Sequence, residues 1–179
     1  MDGAEGVKET LVRAIEALDG RIAGMLVPEG GFELVYARTD ARDAMGIVAP
    51  ARTIRTRADI EEAKRSITEG AGGEAARTVL TAIRFDRSIR SAATLRCSEE
   101  ALSALDALFF EVCSYDRGAI PPGIQSMDWG IASCCRQGVP DAIVDRGGGD
   151  GGHLIRLLGE NPMAVVQQIV KIGTWLERT

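Results

Sequence analysis

The sequence predicts a layered α/β domain with a mixed sheet. Stretches of helical and strand periodicity alternate along the 179 residues, but without the regular βαβ rhythm of an all-parallel sheet. Hydrophobic residues make up 45% and charged residues 26%, the balance of a globular protein with a substantial core. We therefore expect a single domain over residues 1–179.

The first third of the chain predicts one helix and two extended stretches. Apolar residues recur at helical spacing over residues 8–18, and Gly20 supplies a stop. Residues 32–37, FELVYA, are rich in strand-forming residues and alternate roughly between apolar and polar. A short extended stretch is expected over residues 45–54, around Pro50.

The middle third predicts helix, helix, strand and helix. Residues 57–69 have the pattern of a helix with a charged outer face, and the GAGG stretch at 70–73 interrupts it. Residues 74–86 carry apolar side chains on one helical face. Residues 92–97 predict a strand, and Ser98 with two following glutamates has the pattern of a capped helix start.

The last third predicts three strands and two helices. Strands are expected over residues 111–116 and 141–145, on either side of a helix over 126–138. HLIRLL, residues 153–158, predicts another strand. The chain ends in a helix whose N-cap is expected at Asn161, because proline follows at the first helical position.

Charge and residue usage exclude several classes of protein. A net charge of −5 and a pI of about 5.0 argue against a general nucleic-acid-binding surface. No apolar run approaches the roughly 20 residues that span a bilayer. The acidic, polar start does not resemble a signal peptide. We therefore expect a cytoplasmic location with no membrane partner.

The cysteine pattern argues against a structural zinc site. The four cysteines, of which Cys134 and Cys135 are adjacent, form no CxxC pair, and His153 is the sole histidine. We expect reduced, mostly buried thiols. His153 is the one conventional general base near neutral pH, but a lone histidine can equally be structural or exposed.

Residues 147–152 contain five glycines and lie between Arg146 and Arg156. Backbone N–H groups of a glycine-rich turn can line an anion, and flanking guanidinium groups would add positive charge. The stretch lacks the Gly-Lys-Ser/Thr of a Walker A loop and the context of a dinucleotide fold. A flexible hairpin turn with exposed arginines explains the same residues, so the spacing leaves both interpretations open.

Trp129, near the start of a predicted helix, also has two interpretations. It is either a core residue or a stacking face for a planar ring. Neither periodicity nor spacing decides between them.

Several segments occur in an order that resembles the ThiN family, the thiamine-phosphate synthase domain of archaea and some bacteria. They include VPEGGFELVYARTDARDAMGIVAPARTI, VLTAIRFDRSIRSAATLRCSEEAL, VCSYDR, SMDWGI and PDAIVDRGGGDGGHLIRLLGENPMAVVQQIVKI. The resemblance covers residues 8–172. Family domains are usually fused behind a hydroxymethylpyrimidine phosphate kinase, and relatives follow a helix-turn-helix in thiamine-responsive repressors.

The resemblance implies a three-layer α/β/α fold with a mixed sheet, similar to the class II aldolase and epimerase architecture. It implies hydroxymethylpyrimidine diphosphate, a thiazole phosphate and thiamine phosphate as ligands. In family enzymes the thiazole nitrogen attacks the pyrimidine methylene carbon and diphosphate leaves. The resemblance also makes Mg²⁺ a possible cofactor and a homodimer the expected assembly, with no nucleic acid bound by the domain itself.

The same resemblance implies a set of site residues. Arg52, in ARTI, matches the arginine of the family's GRI segment, and the catalytic positions implied are Arg52 and Glu74. The substrate- and phosphate-binding positions implied are Asp145, Arg146, Gly147, Gly148, Arg156 and Trp129.

Three departures put catalysis in question. Enzymatic members carry a GASRHVAR-like stretch, whereas residues 70–77 here read GAGGEAAR, with Gly73 in place of the arginine and Glu74 in place of the histidine. Gly151 replaces the lysine of the family's glycine loop. Losing one good electrostatic donor costs about 3 kcal/mol, on the order of a hundredfold in rate.

Three functions therefore stay open. The first is a stand-alone thiamine-phosphate synthase, a transferase. The second is a non-catalytic domain that senses or carries thiamine phosphate. The third is a degenerate scaffold that binds neither precursor nor product.

Overall fold

The structure is a computed structural model that describes residues 3–116, 126–146 and 153–179. Within these ranges the chain forms helices and strands in mixed order. The helices are α1 (Ala4–Ala17), α2 (Ile60–Arg65), α3 (Glu74–Ala82), α4 (Glu99–Ala107), α5 (Ser126–Cys135) and α6 (Pro162–Arg178). The strands are β1 (Leu34–Ala37), β2 (Ile47–Pro50), β3 (Ile67–Glu69), β4 (Ser91–Arg96), β5 (Val112–Tyr115), β6 (Ala142–Asp145) and β7 (Leu154–Gly159).

The seven strands form one sheet in the order β3-β2-β1-β4-β7-β6-β5. Neighbouring strands are antiparallel except β5 and β6, which are parallel. The predicted mixed sheet is therefore confirmed. In the described part of the chain, no helix has the length and apolar character needed to cross a membrane.

Helices cover both faces of the sheet, which confirms the predicted three-layer α/β/α arrangement. One buried core contains residues of α1, α2, α4 and α6, and the other contains residues of α3 and α5. Alternation along β7 shows the division, because Ile155 and Leu157 belong to the first core and Leu158 to the second. Arg156 lies between Ile155 and Leu157 in the strand. By the same alternation its side chain is on the opposite face, which α3 and α5 cover.

The predicted helix starts are confirmed at Ser98 and Asn161. The Ser98 hydroxyl accepts a hydrogen bond from the Ala101 backbone N–H at 3.1 Å, and Asn161 Oδ1 accepts one from the Ala164 N–H at 2.9 Å. Both bonds satisfy N–H groups that the first helical turn leaves without partners.

The single helix expected over residues 57–69 is wrong at its C-terminal end. A 3₁₀ turn at Arg57–Asp59 leads into α2, which ends at Arg65. The residues that follow form β3 and pair with β2, with Glu69 opposite Val48. A pairing partner distant in sequence overrides the local helical pattern here.

The expectation of four reduced thiols is also wrong. Cys113 on β5 and Cys134 on α5 form a disulfide, with their Cα atoms 5.7 Å apart. Packing of α5 against β5 brings these positions within bridging distance, which spacing in the sequence could not show. Cys97 and Cys135 are free.

Candidate functional site

The topology gathers the ends of neighbouring strands at one edge of the sheet. Because β1 and β7 run antiparallel to β4, and β2 and β6 run antiparallel to β1 and β7, the starts of β1 and β7 meet the ends of β2, β4 and β6. Arg52 follows the end of β2, while Asp145 ends β6 and Arg146 follows it. The fold thus brings three of the predicted site residues to the same edge.

A row of polar side chains crosses the central strands near this edge. Thr94 on β4 is opposite Arg156 on β7. Thr94 Oγ1 also accepts a hydrogen bond from the Glu33 backbone N–H at 3.0 Å. Glu33 comes directly before β1. The row lies on the face of the sheet that α3 and α5 cover.

The N-terminus of α3 lies over this row. The Ala75 backbone N–H donates to Glu33 Oε2 at 2.8 Å, and Arg156 Nη2 donates to Glu74 Oε2 at 2.8 Å. Gly73, the N-cap residue, has φ of 101°, a conformation that favours glycine. Two carboxylates, one from the sheet and one from the helix, therefore meet at the start of α3.

Arg156 is the buried cation of the site. Its residue is 0% exposed, and beyond its bond to Glu74 its Nη2 lies 3.8 Å from Asp145 Oδ2. Its Nε and Nη1 find no hydrogen-bond partner in the described ranges. One guanidinium thus holds a helix carboxylate and a strand carboxylate while two of its nitrogens remain unsatisfied.

Glu33 is a half-buried carboxylate whose pKa is raised above its ordinary value. Burial is the main cause, and the nearby charge of Glu74 adds to it. The hydrogen bond from Ala75 and the more distant charge of Arg77 oppose the increase in pKa. Among the described residues, no cation forms an ion pair with Glu33.

A cleft opens beside these carboxylates. A cavity of about 610 Å³ is lined by Glu33, Glu74, Thr53 and Arg55, among others. An adjoining cavity of about 330 Å³ shares Glu33 and Thr53 with the first and extends to Arg52. Cavities of this size accommodate a small heterocyclic ligand.

Residues 9–171 match the family model described as thiamine-phosphate synthase ThiN. This chain belongs to the ThiN family. The match spans the strands and helices that form the sheet edge, and it confirms the resemblance found in the sequence.

Two relatives place this ThiN domain among known proteins. The bifunctional thiamine biosynthesis protein ThiDN of Methanocaldococcus jannaschii is 30% identical over 147 residues, which are 80% of this chain and 35% of that protein. The chain thus spans about a third of that relative's length. The C-terminal domain of a phosphomethylpyrimidine kinase superposes with a TM-score of 0.82 at 26% identity, covering 95% of this chain and 100% of that one.

The predicted class II aldolase architecture is confirmed at the level of fold. L-Fuculose-1-phosphate aldolase from Thermus thermophilus superposes with a TM-score of 0.55 at 12% identity, covering 96% of this chain and 89% of that one. At this identity the likeness concerns the arrangement of the layers alone.

The remaining predicted site residues of the ThiN domain have less defined surroundings. Arg146 is exposed, and its backbone N–H donates to the Tyr115 carbonyl oxygen at 2.8 Å. Trp129 is half-buried on α5, so core and stacking roles both stay open. Gly147 and Gly148 lie outside the described residues. Ligand contacts by these four residues stay predictions.

His153 is exposed and has a local contact. Its Nδ1 lies 3.0 Å from the backbone oxygen of Asp145, and its own carbonyl accepts a hydrogen bond from the Cys97 N–H at 3.1 Å. These contacts join the start of β7 to the ends of β6 and β4. They give His153 a structural role at the edge of the sheet.

The described residues do not fit a Mg²⁺ site built by the protein. Within the described ranges, no group of three or more His, Cys, Asp or Glu side chains could hold a metal. Glu33 and Glu74 offer two carboxylates, and each already accepts a hydrogen bond. We therefore derive no step through a metal, and the use of Mg²⁺ stays a prediction.

Glu33 is the site residue that sequence reasoning missed. A signal was present, because a glutamate interrupts the otherwise apolar stretch FELVYA. A charged residue at the start of a buried strand needs a polar partner. The partner is the backbone of α3, some forty residues later in the chain, and local spacing does not reveal it.

Proposed function

We propose that this ThiN domain binds hydroxymethylpyrimidine diphosphate and thiazole phosphate at the sheet edge and joins them to thiamine phosphate, releasing diphosphate. The observation that carries the proposal is a cleft with both signs of charge, in a chain that matches the family over residues 9–171. Arg52 and Arg55 follow β2 on one wall, while Glu33 and Glu74 line another.

This distribution of charge suits the reaction. As the diphosphate leaves, negative charge grows on its oxygens and positive charge grows on the pyrimidine methylene carbon. Guanidinium groups stabilise the first, and fixed carboxylates stabilise the second. Catalysis of this kind needs charges that are already in place, and Ala75 and Arg156 hold the two carboxylates before any ligand enters.

A second candidate is binding of thiamine phosphate without turnover, as in a sensor or carrier. The observation that favours it is the ion pair between Glu74 and Arg156. Glu74 stands where the enzymatic members of the family have a histidine, and here it neutralises the buried cation of the site. A neutralised guanidinium stabilises a leaving diphosphate less than a free one.

The decisive experiment measures product and binding on the same protein. The full chain is incubated with both phosphorylated precursors and Mg²⁺, thiamine phosphate is quantified by chromatography, and calorimetry measures its binding. Product that falls at least tenfold in Arg52→Ala but not in Arg65→Ala, an exposed residue of α2, supports the synthase. Binding without product supports the sensor. If the protein neither forms product nor binds thiamine phosphate, both functions are refuted.

Two substitutions help to distinguish the synthase from the sensor. Glu74→His and Gly151→Lys each return a residue typical of the family's enzymes. If their loss disabled an ancestral enzyme, each substitution creates or raises turnover. Unchanged turnover in an active protein would contradict a catalytic position at residue 74.

The single domain, cytoplasmic location and homodimer expected from the sequence stay predictions, and analytical ultracentrifugation tests the homodimer.

A further inference from the structure

We propose that Glu33 and Glu74 form a receptor for a flat, positively charged nitrogen heterocycle. Resting on the function proposed above, this heterocycle is the thiazolium ring of thiamine phosphate.

The carboxylate of Glu33, beside the start of α3, is not balanced by an ion pair in the described part of the chain. Arg156 is the cation in the row of polar side chains that crosses the central strands. The carboxylates of Glu33, Glu74 and Asp145 lie around this row. Arg156 contacts Glu74 and Asp145, and no described cation pairs with Glu33. A half-buried carboxylate without a cation is unfavourable. A ligand with a delocalised positive charge removes that penalty.

Arg156 holds Glu74 from the interior of the protein. Arg156 is 0% exposed, and it commits Nη2 to Glu74 while its Nε and Nη1 find no partner among the described residues. A buried guanidinium with unsatisfied nitrogens costs free energy. Since Glu74 also lines the cleft, its carboxylate is fixed in place from the buried side and faces a ligand on the other.

The cavity beside Glu33 and Glu74 has room for a ring system. Glu33 and Glu74 line the same cavity of about 610 Å³, together with Thr53, Arg55 and Leu154. This volume is large for a bare cation and suitable for a ring system. Mg²⁺ also favours octahedral coordination by oxygen, which two carboxylates already engaged with protein donors do not supply. An organic cation fits better than a metal ion.

The arrangement orients the ligand. Carboxylates repel a phosphate, so we expect the phosphate away from Glu74, at the end of the adjoining cavity that Arg52 lines. The adjoining cavity of about 330 Å³ extends to Arg52, whose guanidinium can bind it. The ring therefore lies at the start of α3 and the phosphate near the end of β2.

The test compares ligands that differ in ring charge. Calorimetry on the full chain measures thiamine, which has the cationic ring and no phosphate, against its 3-deaza analogue, which keeps the pyrimidine but has an uncharged thiophene ring in place of the thiazolium. We expect thiamine to bind at least tenfold more tightly. Glu33→Gln should weaken thiamine at least tenfold and leave thiazole phosphate, whose ring is neutral, within twofold. Glu9→Gln, on exposed α1 surface, should change neither affinity.

Glu74→Gln is a second variant and should also weaken thiamine binding. Because it removes the partner of Arg156, this variant is at risk of not folding, and in that case Glu33→Gln alone tests the proposal. Equal affinities for charged and neutral rings would overturn the inference, as would Mg²⁺ binding that Glu33→Gln abolishes. Thiamine phosphate that binds Glu33→Gln as tightly as the native chain refutes the receptor but leaves the proposed function standing. Failure of the native chain to bind thiamine phosphate refutes both.

Discussion

The carboxylate of Glu33 occupies the space that a side chain at Gly73 would need. A Cβ atom built at residue 73 would collide with Glu33 Oε1. These positions are therefore coupled, since a side chain at residue 73 could not coexist with Glu33 in its observed place. The coupling links the start of β1 to the start of α3 at the point where the cleft opens.

Gly73→Ala should destabilise the protein through both backbone strain and this collision. A non-glycine residue in such a backbone conformation costs about 1–3 kcal/mol, and displacing the Glu33 carboxylate breaks its hydrogen bond from the Ala75 N–H, which adds about 1 kcal/mol. Urea unfolding measures the sum. Gly138→Ala is a matched control, because Gly138 has φ of 119° but nothing within 4 Å of an added Cβ. Equal losses in both variants would show that Glu33 does not block residue 73.

Arg156→Met should lower the free energy of unfolding by about 3–5 kcal/mol, because it leaves Glu74 and Asp145 close together without their cation. Adding Glu74→Gln should restore part of the loss. The control is Arg65→Met, whose exposed pair with Glu62 spans 3.9 Å and contributes at most about 0.5 kcal/mol. A change in Arg156→Met as small as the control's would contradict the buried ion network.

Glu33→Gln should stabilise the fold at high pH and lose that advantage at low pH. The folded state raises the pKa of Glu33, so ionised Glu33 destabilises the protein once the pH exceeds the raised pKa. Below the ordinary carboxyl range both states are protonated and the penalty vanishes. Glu74 and Arg77, both on α3, are the charges that act on this group. Thermal unfolding from pH 4 to 8 checks the trend, with Glu9→Gln as control; a pH-independent difference refutes it.

Cys113→Ser should lower the free energy of unfolding by about 3 kcal/mol, because the disulfide closes a loop with a sequence separation of 21 residues.

Thiol labelling of the denatured, unreduced protein should find the two free cysteines, Cys97 and Cys135. In the native protein Cys135 should label slowly at pH 8, because burial raises its pKa to about 11. Four reactive thiols before reduction would contradict the disulfide, and Cys97→Ser is the control for stability.

Features set by neighbours in sequence were predictable. Ser98 and Asn161 are N-caps because their side chains reach N–H groups three residues later, a relation that the sequence shows directly. The mixed sheet followed from the irregular alternation of helices and strands. Arg52 and Asp145 were predicted through the family resemblance, and the topology brings them to the edge where the cleft opens.

Features set by distant partners were not predictable from local pattern. Residues 67–69 have helical periodicity but pair with β2, and Cys113 meets Cys134 through packing of α5 on β5. The burial of Arg156 depends on α3 lying above β7. An arginine beside a glycine-rich loop has the local pattern of a surface residue, so its interior position required the whole sheet.

The bond between Arg156 and Glu74 also bears on how such a domain changes over generations. One amino-acid replacement at residue 74 alters the chemistry of the cleft and the integrity of the interior together, so selection cannot act on either property alone. A change from glutamate to histidine at residue 74 removes the carboxylate that Arg156 contacts and leaves a buried guanidinium with fewer partners. Such a change is tolerated best once another substitution has given Arg156 a new partner.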